Sequence, residues 1–173
     1  MPAAELQGGF PILSTMLTTR CATIADAALL TAHRHAMFAE MGTSDGATLT
    51  EMSRNFETWV KQMLDAGKYV GWVVEDGERA VASAGFFELD WPPHPLDPSG
   101  CGRGYLLNFW VEPKYRRQGL ARSLVKEALA ESKRRRLCIT TLHASDAGRP
   151  LYETLGFRET NEMNYVERRG AGV

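Results

Sequence analysis

The chain has 173 residues, enough for one domain with a single substantial core. Its apolar share of 44%, charged share of 24% and net charge of −1 are ordinary for a globular protein, and the near balance gives no general pull toward nucleic acid or an anionic membrane. Three widely spaced cysteines (Cys21, Cys101, Cys138) with no C-x-x-C pair argue against a disulfide framework or zinc site and point to a reducing cytoplasm.

Residues 1–15, with Pro2, Gly8, Gly9 and Pro11, read as a flexible leader, and residues 168–173 as a tail; between them, 16–167 reads as one domain. No basic stretch followed by an apolar one opens the sequence, so no signal peptide is expected, and no apolar run reaches the ~18 residues of a membrane span. "MLTTRCA" (16–22) reads as a first strand. From Asp26, taken as an N-cap, Leu29, His33, Met37 and Met41 recur at helical spacing until Gly42. After a loop, Thr48-x-x-Glu51 has the form of a capping box. Met52, Phe56, Trp59, Val60 and Met63 then share one helical face, ending at Gly67. "KYVGWVVED" and "RAVASAGFFEL", joined through "DGE", form a hairpin.

"DWPPHPLDPSGCGRG" (90–104) holds four of the eight prolines and is an exposed loop. "YLLNFWVE" (105–112), nearly all apolar, reads as a central strand covered on both faces. Gln118 to Arg135 is helical, with Leu120, Leu124, Ala128 and Leu129 inward. "LCITTLHAS" is a strand, "DAGRPLYETLGF" a short helix capped by Asp146 and closed by Gly156, and Phe157 to Val166 a last strand. The order β-α-α-β-β-β-α-β-α-β defines an α/β fold, a mixed sheet flanked by helices.

One junction carries chemistry. In "NFWVEPKYRRQGLARSLV" (108–125) a strand stops at Glu112-Pro113, a basic turn follows, and a helix starts. A helix N-terminus offers unpaired N–H groups and a partial positive charge, which favour phosphate. Gly119 permits close approach to the backbone, Ala121 keeps the next position small, and Arg116, Arg117 and Arg122 add charge. The turn suits a diphosphate. It is neither a P-loop nor a G-x-G-x-x-G site, and R-x-x-G-x-A taken alone is commonplace.

Together with "LYETLGF" about 30 residues further on, these residues resemble the GNAT superfamily, the Gcn5-related N-acetyltransferases, over roughly Arg20 to Val166. The resemblance implies a central mixed, mostly antiparallel sheet of six or seven strands, about four flanking helices and a splayed strand pair. It implies acetyl-CoA as cosubstrate, with no metal. Arg116, Arg117, Gln118, Gly119, Leu120 and Ala121 would hold the pyrophosphate, with Arg122 beside them. Backbone groups of Phe109, Trp110 and Val111 would hold the pantetheine arm, and a backbone N–H at Trp110 or Val111 the developing oxyanion. Tyr152 matches the family's general acid. Ser145 stands where many relatives have an asparagine that contacts pantetheine. Met37, Phe38 and Glu40 would border the acceptor, and relatives commonly form homodimers.

The general base is open. Many relatives carry a carboxylate where this chain has Leu107 and Asn108; Asn108 can orient an amine or a water but cannot take its proton. Glu88, Glu40, Asp146 and His143 remain candidates, beside a water chain. Loops 42–50 (Ser44, Asp45) and 90–103 (Trp91, His94) border the expected acceptor slot, and the acceptor itself cannot be read. Bland readings suffice elsewhere: His33 and His35 do not share a helix face, "KRRR" (133–136) complements a helix dipole, and Cys138 reads as a buried small residue. The expectation is an N-acetyltransferase for a primary amine of a small molecule or peptide. The rivals are a protein N-terminal or lysine acetyltransferase and a catalytically silent CoA-binding module.

Overall fold

A computed structural model describes residues 17–42, 44–100 and 102–166. The expected leader and tail, and Cys101, lie outside them. The chain divides into two compact units at Leu142/His143.

The first unit holds five strands: β1 (Leu17–Cys21), β2 (Tyr69–Asp76), β3 (Arg79–Asp90), β4 (Gly102–Val111) and β5 (Thr140–Leu142), side by side in that order. The first four pair antiparallel, and β5 joins β4 in parallel. Parallel neighbours need a crossover, here the helix α3 (Leu120–Arg134). The β2–β3 hairpin turns through Gly77-Glu78, where Gly77 takes the left-handed conformation (φ 64°) that two-residue hairpin turns require.

Two helices, α1 (Ala27–Met41) and α2 (Gly46–Asp65), pack together, α1 against β4 and α2 against β2. Ala27, Leu30, Phe56, Val60, Tyr69 and Val73 form one buried cluster between them and the sheet. Leu106 is 2% exposed although its strand neighbours Tyr105 and Leu107 point toward this cluster's side. Period-two alternation therefore demands cover on the other face, and α3, packed on β3 and β4 through Leu124, Val125, Ala128 and Ser132, supplies it.

Several details differ from expectation. Of the expected row Leu29, His33, Met37 and Met41, His33 is buried, Leu29 packs on the core cluster, Met37 is half-buried and Met41 is exposed, and the buried stripe of α1 also takes in Ala27, Leu30 and Thr31. Asp26 holds the N-cap position of α1 as expected, but its side chain makes no capping bond: its Oδ2 accepts from the N–H (2.7 Å) and hydroxyl (3.1 Å) of Thr23, and its carboxylate pairs with Arg20 at 2.7 Å. Thr48 lies inside α2, whose cap is Asp45, accepting from the Thr48 N–H at 2.8 Å. Asp45 satisfies an orphan amide one turn earlier, which leaves the Thr48-x-x-Glu51 pattern without a free helix end to cap. On α3, Leu129 is only half-buried.

β5 spans three residues where nine were expected, and Cys138 lies before it, exposed rather than buried. Residues 157–166 form no strand: after Phe157 the run is Arg, Glu, Thr, Asn, Glu, Met, Asn, exposed throughout, with neither the alternation nor the β-propensity to hold a ladder. The sheet thus has five strands among the described residues. In the second unit α4 (Arg149–Thr154) closes through Gly156 (φ 93°), with the Phe157 N–H reaching the Tyr152 carbonyl at 3.1 Å.

Candidate active site

β4 carries an irregularity at its centre. Gly85 of β3 faces Leu107 and Ser83 faces Trp110, so Asn108 and Phe109 together oppose the single residue Ala84. This is a β-bulge, and Asn108 takes the left-handed conformation at φ 58°. Its side chain is 4% exposed. Oδ1 accepts from Arg34 of α1, and Nδ2 donates to the Tyr69 hydroxyl at 3.2 Å. A guanidinium only donates, so it fixes the amide orientation. Tyr69 crosses the strand at Gly85, where an added Cβ would lie 2.0 Å from its hydroxyl oxygen; burial pushes its phenol up to about 12. Beside this trio, His33 Nδ1 meets Ser83 Oγ at 2.8 Å, and burial lowers the imidazole's pKa.

β5 pairs β4 only along Gly104–Leu106, so the ladder stops before the bulge and β4 continues to Val111 without it. After Val111 the chain makes a 3-10 turn (Pro113–Tyr115) and enters α3. Arg117 (φ 63°) and Gly119 (φ 85°) are both left-handed, a backbone of the kind that forms anion-binding concavities. The α3 ladder is opened by the Ser123 N–H on the Gly119 carbonyl at 3.0 Å, so the amides of Leu120 and Ala121 precede any intrahelical acceptor. A Cβ on Gly119 would meet nothing within 4 Å: the backbone angle requires glycine, and the space before it is open. Gln118 sends its amide to the Lys114 carbonyl at 3.2 Å.

Arg116 is engaged otherwise. Its fork grips the Glu40 carboxylate at 2.6 and 2.7 Å, its Nε donates to the Val111 carbonyl at 2.9 Å, and it stands 5.0 Å from the Trp110 ring. Two residues read separately from the sequence, one for cofactor and one for acceptor, are thus brought together as a tie between the end of α1 and the phosphate-type turn. That pair holds Glu40 below the usual carboxylate range. Glu88 is likewise paired, at 2.5 Å with Arg135, which also meets Glu131 at 2.6 Å.

A cavity of about 320 Å³ opens on the α1–α2 side of β4, lined by Arg34, the rings of Phe56, Trp59, Phe87 and Tyr105, and by Leu89 and Leu107. Trp59 stacks edge-on with Phe87 at 5.0 Å. Met37, Phe38 and Glu40 do not line it, though the Phe38 ring lies 4.8 Å from the Arg34 guanidinium and Phe56 4.7 Å from it. Arg34 escaped the sequence reading. Its signal is spacing: it stands four residues from Leu30 and from Phe38, a cation inside the buried stripe of α1.

In the second unit, Ser145 Oγ accepts the Gly148 N–H at 3.2 Å, so Ser145 rather than Asp146 supports the turn into α4. Tyr152 packs edge-on against Phe157 at 5.8 Å, and burial raises its pKa. Among the described residues no helix is long and apolar enough to cross a membrane, and no group of three His, Cys, Asp or Glu is placed to hold a metal.

A bulged central strand thus leads into an amide-rich turn, beyond the point where the parallel edge ladder ends. Residues 67–159, more than half of the chain, match the family model described as an acetyltransferase (GNAT) domain. The chain belongs to the GNAT acetyltransferase family. A GCN5-related N-acetyltransferase from Ralstonia eutropha JMP134 is 38% identical, over 88% of this chain and 99% of that one, with a TM-score of 0.83. A predicted acetyltransferase from Clostridium acetobutylicum, solved with acetyl-CoA, is 26% identical over 88% and 96%, with a TM-score of 0.81. Glucosamine-6-phosphate N-acetyltransferase from Arabidopsis thaliana, 16% identical over 88% and 99% with a TM-score of 0.63, shares the fold alone. No curated protein matches the chain.

Proposed function

We propose that the protein transfers the acetyl group of acetyl-CoA to a primary amine of a small molecule or peptide, directly, within a ternary complex. The observation that carries this is the turn from Arg117 to Ala121, with two left-handed residues and an uncapped helix start immediately beyond a bulged strand. Arg117, Gln118, Gly119, Leu120 and Ala121 hold the diphosphate, Arg122 adds charge, and Arg116 shapes the turn through Glu40 and Val111. Backbone groups of Phe109, Trp110 and Val111, which lie beyond the end of the β5 ladder, hold the pantetheine arm and the thioester. Ser145 adds a hydroxyl to that arm. The amine lone pair attacks the thioester carbonyl, so N–C forms and C–S breaks. A backbone N–H at Trp110 or Val111 steadies the oxyanion, and Tyr152 protonates the departing thiolate while the amine's proton leaves to solvent.

Asn108, with both polar groups engaged by Arg34 and Tyr69, positions the bulge and through it the acceptor. The cavity's volume sits at the small end of ligand pockets (~300–1,000 Å³), which favours a small acceptor over a folded protein. A silent CoA-binding module is the second reading, favoured by Asn108 standing where relatives carry a carboxylate. Thiol release from acetyl-CoA, followed over a panel of amines, tests the proposal. Turnover with some amine, and a fall of roughly 10²-fold in kcat for Tyr152→Phe at unchanged CoA affinity, is the expected outcome. Tight CoA binding with no transfer to any amine selects the silent module.

A further inference from the structure

Arg34 is a cation with no ion-pair partner among the described residues. Its Nη1 donates to Asn108, its guanidinium stands 4.8 and 4.7 Å from the ring centroids of Phe38 and Phe56, and its Nε is buried with no hydrogen-bond partner. Among the described residues no carboxylate lies within ion-pair distance of it, whereas Arg20, Arg79, Arg116, Arg134, Arg135 and Arg149 each have one. The titratable groups that act on it are the phenols of Tyr69 and Tyr105, and burial lowers its pKa without removing its charge. A guanidinium partly withdrawn from water, with a buried Nε left unbonded, is costly without a counter-ion, a cost that an anionic ligand would offset. Arg34 also forms one wall of the cavity, whose other walls are aromatic and aliphatic.

We propose that the acceptor is an α-amino acid with an apolar, preferentially aromatic, side chain, its carboxylate held by Arg34 and its side chain seated among Phe56, Trp59, Phe87 and Tyr105. This rests on the proposed acetyl transfer for the reaction, but on the cavity alone for the ligand. The α-carbon separates amine from carboxylate by two bonds. Arg34 is itself bonded to Asn108, the residue of the bulge that precedes Phe109 and Trp110. A carboxylate on Arg34 therefore leaves the amine beside the strand assigned to the thioester. The uncharged aromatic walls give a second ammonium no partner.

The test compares L-phenylalanine, L-alanine and phenethylamine (phenylalanine without its carboxylate) on the unaltered protein. One assay reads acetyl transfer, and a second reads ligand binding directly, by calorimetric titration with CoA present. Phenylalanine is expected to exceed phenethylamine by roughly 10²-fold in kcat/KM, the discrimination of a lost charge-assisted pair, and to exceed alanine by a similar factor. In Arg34→Met the preference over phenethylamine falls to near unity while CoA affinity holds. Equal use of phenethylamine and phenylalanine overturns the inference and leaves acetyl transfer standing. If no amine is acetylated, saturable phenylalanine binding that phenethylamine does not reproduce still supports the cavity's assignment. No difference in binding between the two overturns it. Because the ligand comparison needs no variant, a misfolded Arg34→Met leaves the test intact.

Discussion

Asn108 concentrates two opposed energies in one residue, so replacing it by glycine and by alanine separates them. Its left-handed backbone costs an ordinary side chain about 1 kcal/mol, which glycine would relieve. Its side chain supplies a charge-assisted, part-buried bond from Arg34, about 1.5–3 kcal/mol, and a buried neutral bond to the Tyr69 hydroxyl, about 1 kcal/mol. The bonds outweigh the strain. Asn108→Gly is expected to destabilise by about 2 kcal/mol, and Asn108→Ala by about 1 kcal/mol more because it keeps the strain and loses the same bonds. Urea unfolding with linear extrapolation measures both, at an unchanged m-value. A glycine variant as stable as the parent would refute the weight given to the buried trio. Equal losses for the two variants would refute the left-handed backbone.

Gly119→Ala meets no steric neighbour, so its cost of about 1 kcal/mol is conformational, and it should also weaken CoA binding because the new methyl enters the space before the turn. Thermal unfolding and a CoA titration check it, and no change in either would sink the account of the turn. The Glu40–Arg116 pair is 49% and 37% exposed, so a double-mutant cycle should give a coupling below about 1 kcal/mol that shrinks with salt; several kcal/mol would contradict that. Asp26 is held down to about 2, first by its hydrogen bond to Arg20, and the same group ionises near pH 4 when unfolded. Its stabilisation is therefore complete above about pH 4 and lost as pH falls toward 2, and Asp26→Asn should remove that part of the acid transition.

What the sequence made legible was local. The α2 face, the Gly77 hairpin and the Gly119 corner follow from spacing and backbone needs within a few residues, and the structure has all three. Arg34 was hidden because its burial depends on Asn108, 74 residues away, and a single arginine in "HRHAM" looks like any solvated one. The bulge was hidden for the same reason, since only the register against β3 reveals that two residues face one. Arg116 and Glu40 each carried a plausible ligand role until tertiary structure paired them across 76 residues. Where two local signals competed, as with Asp45 and Thr48, pattern alone chose the wrong helix start.

Every wall of the 320 Å³ cavity comes from chain positions before Asn108, and the left-handed turn comes wholly from positions after Val111. On the proposed assignments, the residues that choose the acceptor and the turn that grips the cofactor occupy consecutive stretches of chain, joined by the four strand residues Asn108 to Val111. If those assignments hold, a hybrid that takes residues 20–107 from a homologue, with Glu40 retained so that its tie to Arg116 survives, would inherit that homologue's taste for amines while keeping its own hold on the nucleotide. Divergence in such a lineage can proceed on one passage at a time.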